Sequence, residues 1–149
     1  MSNDQDEVQP DARVRASFAK QRFMRTLGAV LDEVAPGRVA IRCPVREDLT
    51  QQHGFLHAGA IAAVADSACG YAALSLMPPD AGVLSIEFKV NMLSPARGEA
   101  IVARAEVIRA GRTIMVCRAD VFALADGQEK LVAAMQGTMM VVTGKGMTD

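Results

Sequence analysis

The run from His57 to Met77 holds one charged side chain, Asp66, in a stretch otherwise built mostly of Ala, Gly and apolar residues. A helix without a polar face has no side to turn toward water, so this run predicts a helix buried all round. A carboxylate in such a helix must be hydrogen-bonded or paired, or it holds its proton to an unusually high pH. Carboxyls kept in such settings are commonly working groups. The fold must therefore wrap around this helix, and Asp66 is the first candidate for chemistry. Ala58–Met77 is long enough to raise the question of a membrane span. Its Ala content, the acid near its middle and the lack of a second such run argue for a buried helix in a water-soluble domain instead.

The wrap is written in the flanking patterns. Residues 11–26 alternate basic and apolar groups, with Val14, Phe18, Gln21 and Arg25 near one helical line, and predict one short amphipathic helix. Its basic residues (Arg13, Arg15, Lys20, Arg22, Arg25) read as a solvated face. Leu27–Val34 and Arg38–Val45 predict two strands joined by a Pro36-Gly37 turn. Pro78-Pro79 stops the long helix. Leu84, Ile86, Phe88, Val90 and Met92 then alternate with Ser85, Glu87, Lys89 and Asn91, the period of a half-buried strand. Glu99–Arg109, Arg112–Leu124 and Lys130–Val142 follow, separated by Ala110-Gly111 and Asp126-Gly127 turns. The expected fold is α+β: a curved, mainly antiparallel sheet with a four-strand meander around one long helix, preceded by an N-terminal helix. Covering the sheet's other face and its edges predicts an oligomer.

At 149 residues the chain suits one domain. Residues 1–10 read as a disordered acidic tail, 11–143 as the domain and 144–149 as a C-terminal tail. A net charge of −1 gives no signal for nucleic acid or an anionic membrane. With no Trp and one Tyr there are few platforms for stacking bases. Cys43, Cys69 and Cys117 are odd in number and form no Cys-x-x-Cys motif, which points away from zinc ribbons and disulfide frameworks. Free thiols and the acidic start, unlike a signal peptide, predict a cytoplasmic protein.

Gln51-Gln52-His53-Gly54-Phe55-Leu56-His57-Ala58-Gly59 delivers the chain to the start of the buried helix. The first N–H groups of a helix lack partners and carry the positive end of its dipole. Small residues there let a ligand approach, so Ala58 and Gly59 suit a carbonyl oxygen that becomes an oxyanion. Close helix–sheet packing accounts for their size equally well. Asp66 lies about 12 Å further along the same helix at about 1.5 Å per residue. An acid or base must stand within hydrogen-bond reach of its target. If both groups serve one reaction, a second subunit supplies one of them, as in a two-fold dimer with antiparallel helices. His53 and His57 are spaced like a metal pair, but no third ligand accompanies them and no metal site is expected.

The segments HGFLHAGAIAAVADSACGYAA and SIEFKVNMLSPARGE resemble the hotdog-fold acyl-CoA thioesterases, and most of all their phenylacetate-degradation (PaaI-like) subfamily. The resemblance covers about residues 14–143. It implies hydrolysis of an acyl-CoA thioester to a free acid and CoA in a homodimer or a homotetrameric dimer of dimers. No cofactor is implied beyond the CoA of the substrate, and neither nucleic acid nor membrane is a partner. It further implies that the Ala58 N–H polarises the thioester carbonyl and that His57 orients the helix start. Gln51 would contact the thioester or the attacking water. Asp66 of a partner subunit would be general base or nucleophile, with Ser85 positioning the water. Gly59, His53 and Gly70 would border the substrate. Gly70 stands where other branches carry a Ser or Thr, and His-Ala-Gly replaces the usual His-Gly-Gly. Arg97, Arg109 and Arg112 are the candidates for the CoA phosphates. A non-catalytic acyl-CoA-binding module is the alternative; hydratase chemistry on the same fold would need a paired Asp and His that this chain lacks.

Overall fold

The computed structural model describes residues 9–149. The expected tail over residues 1–10 lies almost wholly outside the described residues, and Pro10 opens the first helix. The order is α1 (Pro10–Lys20), α2 (Arg22–Leu27), β1 (Val30–Ala35), β2 (Arg38–Pro44), a short 3-10 turn (Glu47–Leu49), α3 (Ala58–Leu74), β3 (Gly82–Met92), β4 (Ala100–Ala110), β5 (Ile114–Ala125) and β6 (Gln128–Val142). All six strands form one antiparallel sheet in the order β1-β2-β4-β5-β6-β3. The sheet curls around α3, giving the α+β hotdog architecture. Ile41, Ile101, Ala103, Cys117, Ala119, Val121 and Met139 meet Val64, Ala65, Ala68 and Ala72 of the helix in one continuous core. In β4 and β5 these are alternate residues, because every second side chain of a half-covered strand faces the core.

Four expectations need correction. First, the N-terminal helix is two helices, broken at Gln21, whose backbone is extended (φ −78°, ψ 102°). No Pro or Gly explains the break, which places Gln21 against α3. Second, Arg13 is not on a solvated face. It is buried, and its guanidinium donates to the carbonyls of Met77 (3.1 Å) and Ala81 and to Asp149 O (3.0 Å). α1 is thereby fastened to the far end of α3 and the entry of β3. Third, the meander has three strands, β4-β5-β6; β3 skips over them to pair with β6 at the sheet edge. That crossover follows from α3, which occupies the concave face between β2 and β3. Fourth, α3 is not covered on every side. Ala62, Ala63, Asp66, Ser67 and Gly70 are only half-buried and, with exposed Ala58 and Gly59, form one stripe at three- and four-residue spacing.

The β3 alternation marks a strand but not a covered one: Leu84, Ile86, Phe88 and Met92 are exposed in the protomer. The strand also carries a bulge. Ser85 pairs with Met139 and Glu87 with Thr138, leaving Ile86 without a partner. A bulge reverses the alternation, so Ser85 shares the inner face with Phe88, Val90 and Met92. A regular strand would have turned Ser85 outward with Glu87 and Lys89.

Candidate active site

α3 begins in a tightly closed loop. The N–H of Gln51 donates to Phe55 O and that of Gly54 to Gln51 O, both at 2.9 Å. A bridge joins Thr50 to Leu56, and the Leu56 N–H reaches Ala96 O at 2.9 Å. The Gln51 side-chain oxygen accepts the His53 N–H, so its amide nitrogen keeps its donors. His57 is the N-cap: its Nδ1 accepts the Gly59 N–H at 2.7 Å. Accepting there requires the Nδ1 lone pair and leaves the ring proton on Nε2. The Ala60 N–H turns back to His57 O at 3.0 Å. Ala58 is thus the one residue of this first turn whose N–H meets no acceptor among the described residues. It lies in a cleft with Gln51, Phe55, Ile61, Met92 and Pro95. Gly59 owes its size to the cap, since a Cβ there would stand 3.0 Å from His57 Nδ1.

Asp66 opens into a different cleft, of about 140 Å³, lined by Gln21, Ser67, Gly70, Tyr71, Ser85 and Met139 among others. The Ser85 hydroxyl donates to Asp66 Oδ1 at 2.9 Å, the contact the β3 bulge makes possible. Burial pushes the Asp66 carboxyl above the usual carboxylate range, and the Ser85 bond pulls the other way. The second carboxylate oxygen is left for another partner. Gly70, one helical turn on, meets nothing within 4 Å of where a Cβ would be, so the missing hydroxyl leaves open space.

The structure thus joins Asp66, Ser85 and Gly70 in one cleft, and Gln51, His57, Ala58 and Gly59 around another. One protomer does not bring the two groups together. His53 is exposed in the loop and touches neither cleft except through Gln51. Among the cationic candidates, Arg97 stands over the Phe55 ring, 5.2 Å from its centroid, at the edge of the Ala58 cleft. Arg109 is near the far end of β4, about 30 Å along the strand from Ala100. Cys69 is buried and its thiol is pushed far up by desolvation, so it is no nucleophile. Among the described residues no group of three metal-ligating side chains forms, and no helix is long and apolar enough to cross a membrane.

Residues 53–130 match the model of the thioesterase superfamily. The chain belongs to that superfamily. It is 34% identical to human acyl-coenzyme A thioesterase 13 over 122 residues, which cover 80% of this chain and 85% of the relative. A thioesterase family protein from Silicibacter pomeroyi is 52% identical in its crystal structure, with a TM-score of 0.89 over 91% of this chain and 99% of that one. The PaaI protein of Escherichia coli, at 20% identity, shares the fold with a TM-score of 0.83 over 91% of this chain and 95% of that one.

Sequence reading missed Ser17, Gln21 and Tyr71, which border the Asp66 cleft. Ser17 Oγ lies 3.3 Å from the Tyr71 hydroxyl and 3.2 Å from Asp149 Oδ1, and the Ser67 hydroxyl donates to Gln21 Oε1 at 3.4 Å. The available signal was Gln21 itself, an uncharged polar residue on the helical line that also carries the buried Val14 and the half-buried Phe18.

Proposed function

We propose that this chain is an acyl-CoA thioesterase whose active site is completed by two protomers. The observation that carries the reading is the division of the chemistry. A half-buried carboxylate held by Ser85 and a free helix-start N–H occupy separate clefts on one helix, about 12 Å apart along its axis. Two copies of α3 packed antiparallel along the Ala62, Ala63 and Asp66 stripe bring each Asp66 toward the other's Ala58. The exposed edge strand β3, with Ile86, Phe88 and Met92, supplies further surface for that dimer. The name of the human relative supports the substrate class, acyl-CoA.

In this reading the Ala58 N–H and the helix dipole polarise the thioester carbonyl and hold the oxyanion. Gln51 contacts the thioester or the water with its free amide N–H groups. The ionised Asp66 takes a proton from a water that Ser85 helps to place. The water oxygen bonds to the carbonyl carbon, the C–S bond breaks, and the proton passes to the CoA sulfur. Attack by the Asp66 carboxylate itself, giving an anhydride that water then opens, is the second route. Both routes need Asp66 ionised. Arg97, fixed on Phe55, meets the phosphates of CoA at the mouth of the Ala58 cleft.

The test is hydrolysis of a panel of acyl-CoAs by Asp66→Asn and Asp66→Ala. A loss of at least about 10²-fold in kcat is expected for both. Wild-type turnover by both variants refutes the assignment. Binding of acyl-CoA without turnover by the unaltered protein favours the non-catalytic module instead.

A further inference from the structure

Beyond the last strand the chain returns to the entry of β3. β6 ends at Val142, and Gly144 and Gly146, both at φ 68°, turn the segment back in a conformation that favours glycine. Gly82 leaves room for it, since a Cβ there would stand 2.6 Å from Met147 O. Asp149 is then fastened at both of its ends. Its side chain accepts the Val83 N–H on Oδ2 at 3.0 Å and the Ser17 hydroxyl on Oδ1 at 3.2 Å. Its main-chain O accepts Arg13 Nε at 3.0 Å, and its N–H points to Ala81 O at 3.5 Å. Residues 143–149 are all exposed, so these polar contacts, not apolar packing, hold the segment down. Such a fastening opens without disturbing the core.

The place where Asp149 is fastened gives the segment a use. Asp149 lines the Asp66 cleft beside Ser17, Tyr71 and Val83. It also lines a second cavity, of about 350 Å³, with Pro10, Arg13, Ser75, Met77 and Pro79. Among the described residues no other lines both. Ser17 on one side and Arg13 on the other are one turn apart on α1, so the two spaces lie next to each other along that helix. The Asp66 cleft, about 140 Å³, is close to the roughly 150 Å³ that holds a six-carbon ring. A hydrocarbon longer than that meets a carboxylate whose partners it cannot replace, and burying those groups unpaired is costly.

We propose that Asp149 is a partition between the two cavities, and that residues 143–149 are a strap that sets the acyl length the enzyme accepts. Chains of up to about six carbons fill the Asp66 cleft with the strap in place. Longer chains reach the second cavity, with its Pro10, Met77 and Pro79 walls, only when the strap lifts and Arg13 and Val83 give up Asp149 to water. The inference rests on the thioesterase reading and adds acyl length to it.

The test compares kcat/KM for hexanoyl-CoA and decanoyl-CoA. The unaltered protein is expected to favour hexanoyl-CoA by at least about tenfold. Three variants open the partition in different ways. Deletion of residues 144–149 removes the strap, Asp149→Ala removes its carboxylate, and Gly82→Ala sets a methyl against Met147 O and pushes the strap away. Each should raise the decanoyl-to-hexanoyl ratio at least about tenfold, chiefly through a lower KM for decanoyl-CoA. The two point variants carry the test if the deletion costs the fold. Equal or better use of decanoyl-CoA by the unaltered protein, or a ratio that Asp149→Ala and Gly82→Ala leave where it was, overturns the proposal while thioester hydrolysis stands. Hydrolysis of neither compound, nor of acetyl-CoA, overturns both readings.

Discussion

Replacing Arg13 with alanine removes three donor–carbonyl contacts at once. The guanidinium donates to Met77 O (3.1 Å) at the exit of α3, to Ala81 O just before β3 and to Asp149 O (3.0 Å). A hydrogen bond from a charged donor contributes about 1.5–3 kcal/mol net, so the Met77 and Ala81 bonds set a gross scale of about 3–6 kcal/mol. Against this stands the desolvation of the charge, which pulls the Arg13 pKa below its ordinary value despite the nearby Asp149 and Asp80. That cost disappears with the side chain and reduces the net loss to about 2–4 kcal/mol. For a chain of this size the melting temperature should fall by about 6–12 °C. Urea unfolding followed by circular dichroism measures the difference directly. Arg13→Lys keeps a donor and the charge without the fork, and should recover part of the loss. Because α1 also carries Ser17 and is followed by Gln21, the loosened variant should hydrolyse thioesters more slowly. An Arg13→Ala protein within about 0.5 kcal/mol of the parent would refute the argument, since that is the range of ordinary surface substitutions.

Two further outcomes follow from the clefts. Burial raises the Asp66 pKa, and the base must be ionised, so kcat should fall as pH drops through a value above the ordinary aspartate pKa of about 3.9. Ser85→Ala removes the bond that favours the ionised form, and should move this acid limb to higher pH; a limb that stays put or moves lower in a pH–rate profile contradicts the Ser85–Asp66 coupling. Gly59→Ala sets a methyl against His57 Nδ1 and displaces the cap, a loss of about 1 kcal/mol that the better helix propensity of alanine offsets by up to about the same amount. Its stability should therefore stay near the parent's while kcat drops through the disturbed helix start; equal kcat would show that the cap geometry is immaterial.

Tertiary structure altered the reading most where local pattern and three-dimensional need disagreed. The Ser85 assignment illustrates this. Period-2 alternation placed it with outward-facing Glu87 and Lys89, and only the bulge at Ile86 turns it toward Asp66. Bulges depend on how two distant strands take up register, and no residue type in β3 announces one. Gln21 is similar: its helical propensity predicts continuity, and packing against Ser67 breaks the helix there. Arg13 read as a surface cation, because its three carbonyl acceptors lie 64 to 136 residues away in sequence.

The sequence by itself determined the wrapped helix, the strands and the position of the lone acid. These follow from hydrophobic periodicity, and periodicity is a local property of the chain. Which strand pairs with which, that β3 crosses to the sheet edge, that α3 keeps one stripe uncovered, and that Asp66 faces Ser85 while Ser67 meets Gln21 were decided by the tertiary structure alone. Those arrangements arise from contacts between residues far apart in sequence, where the burial of one element's surface fixes what its neighbours must cover.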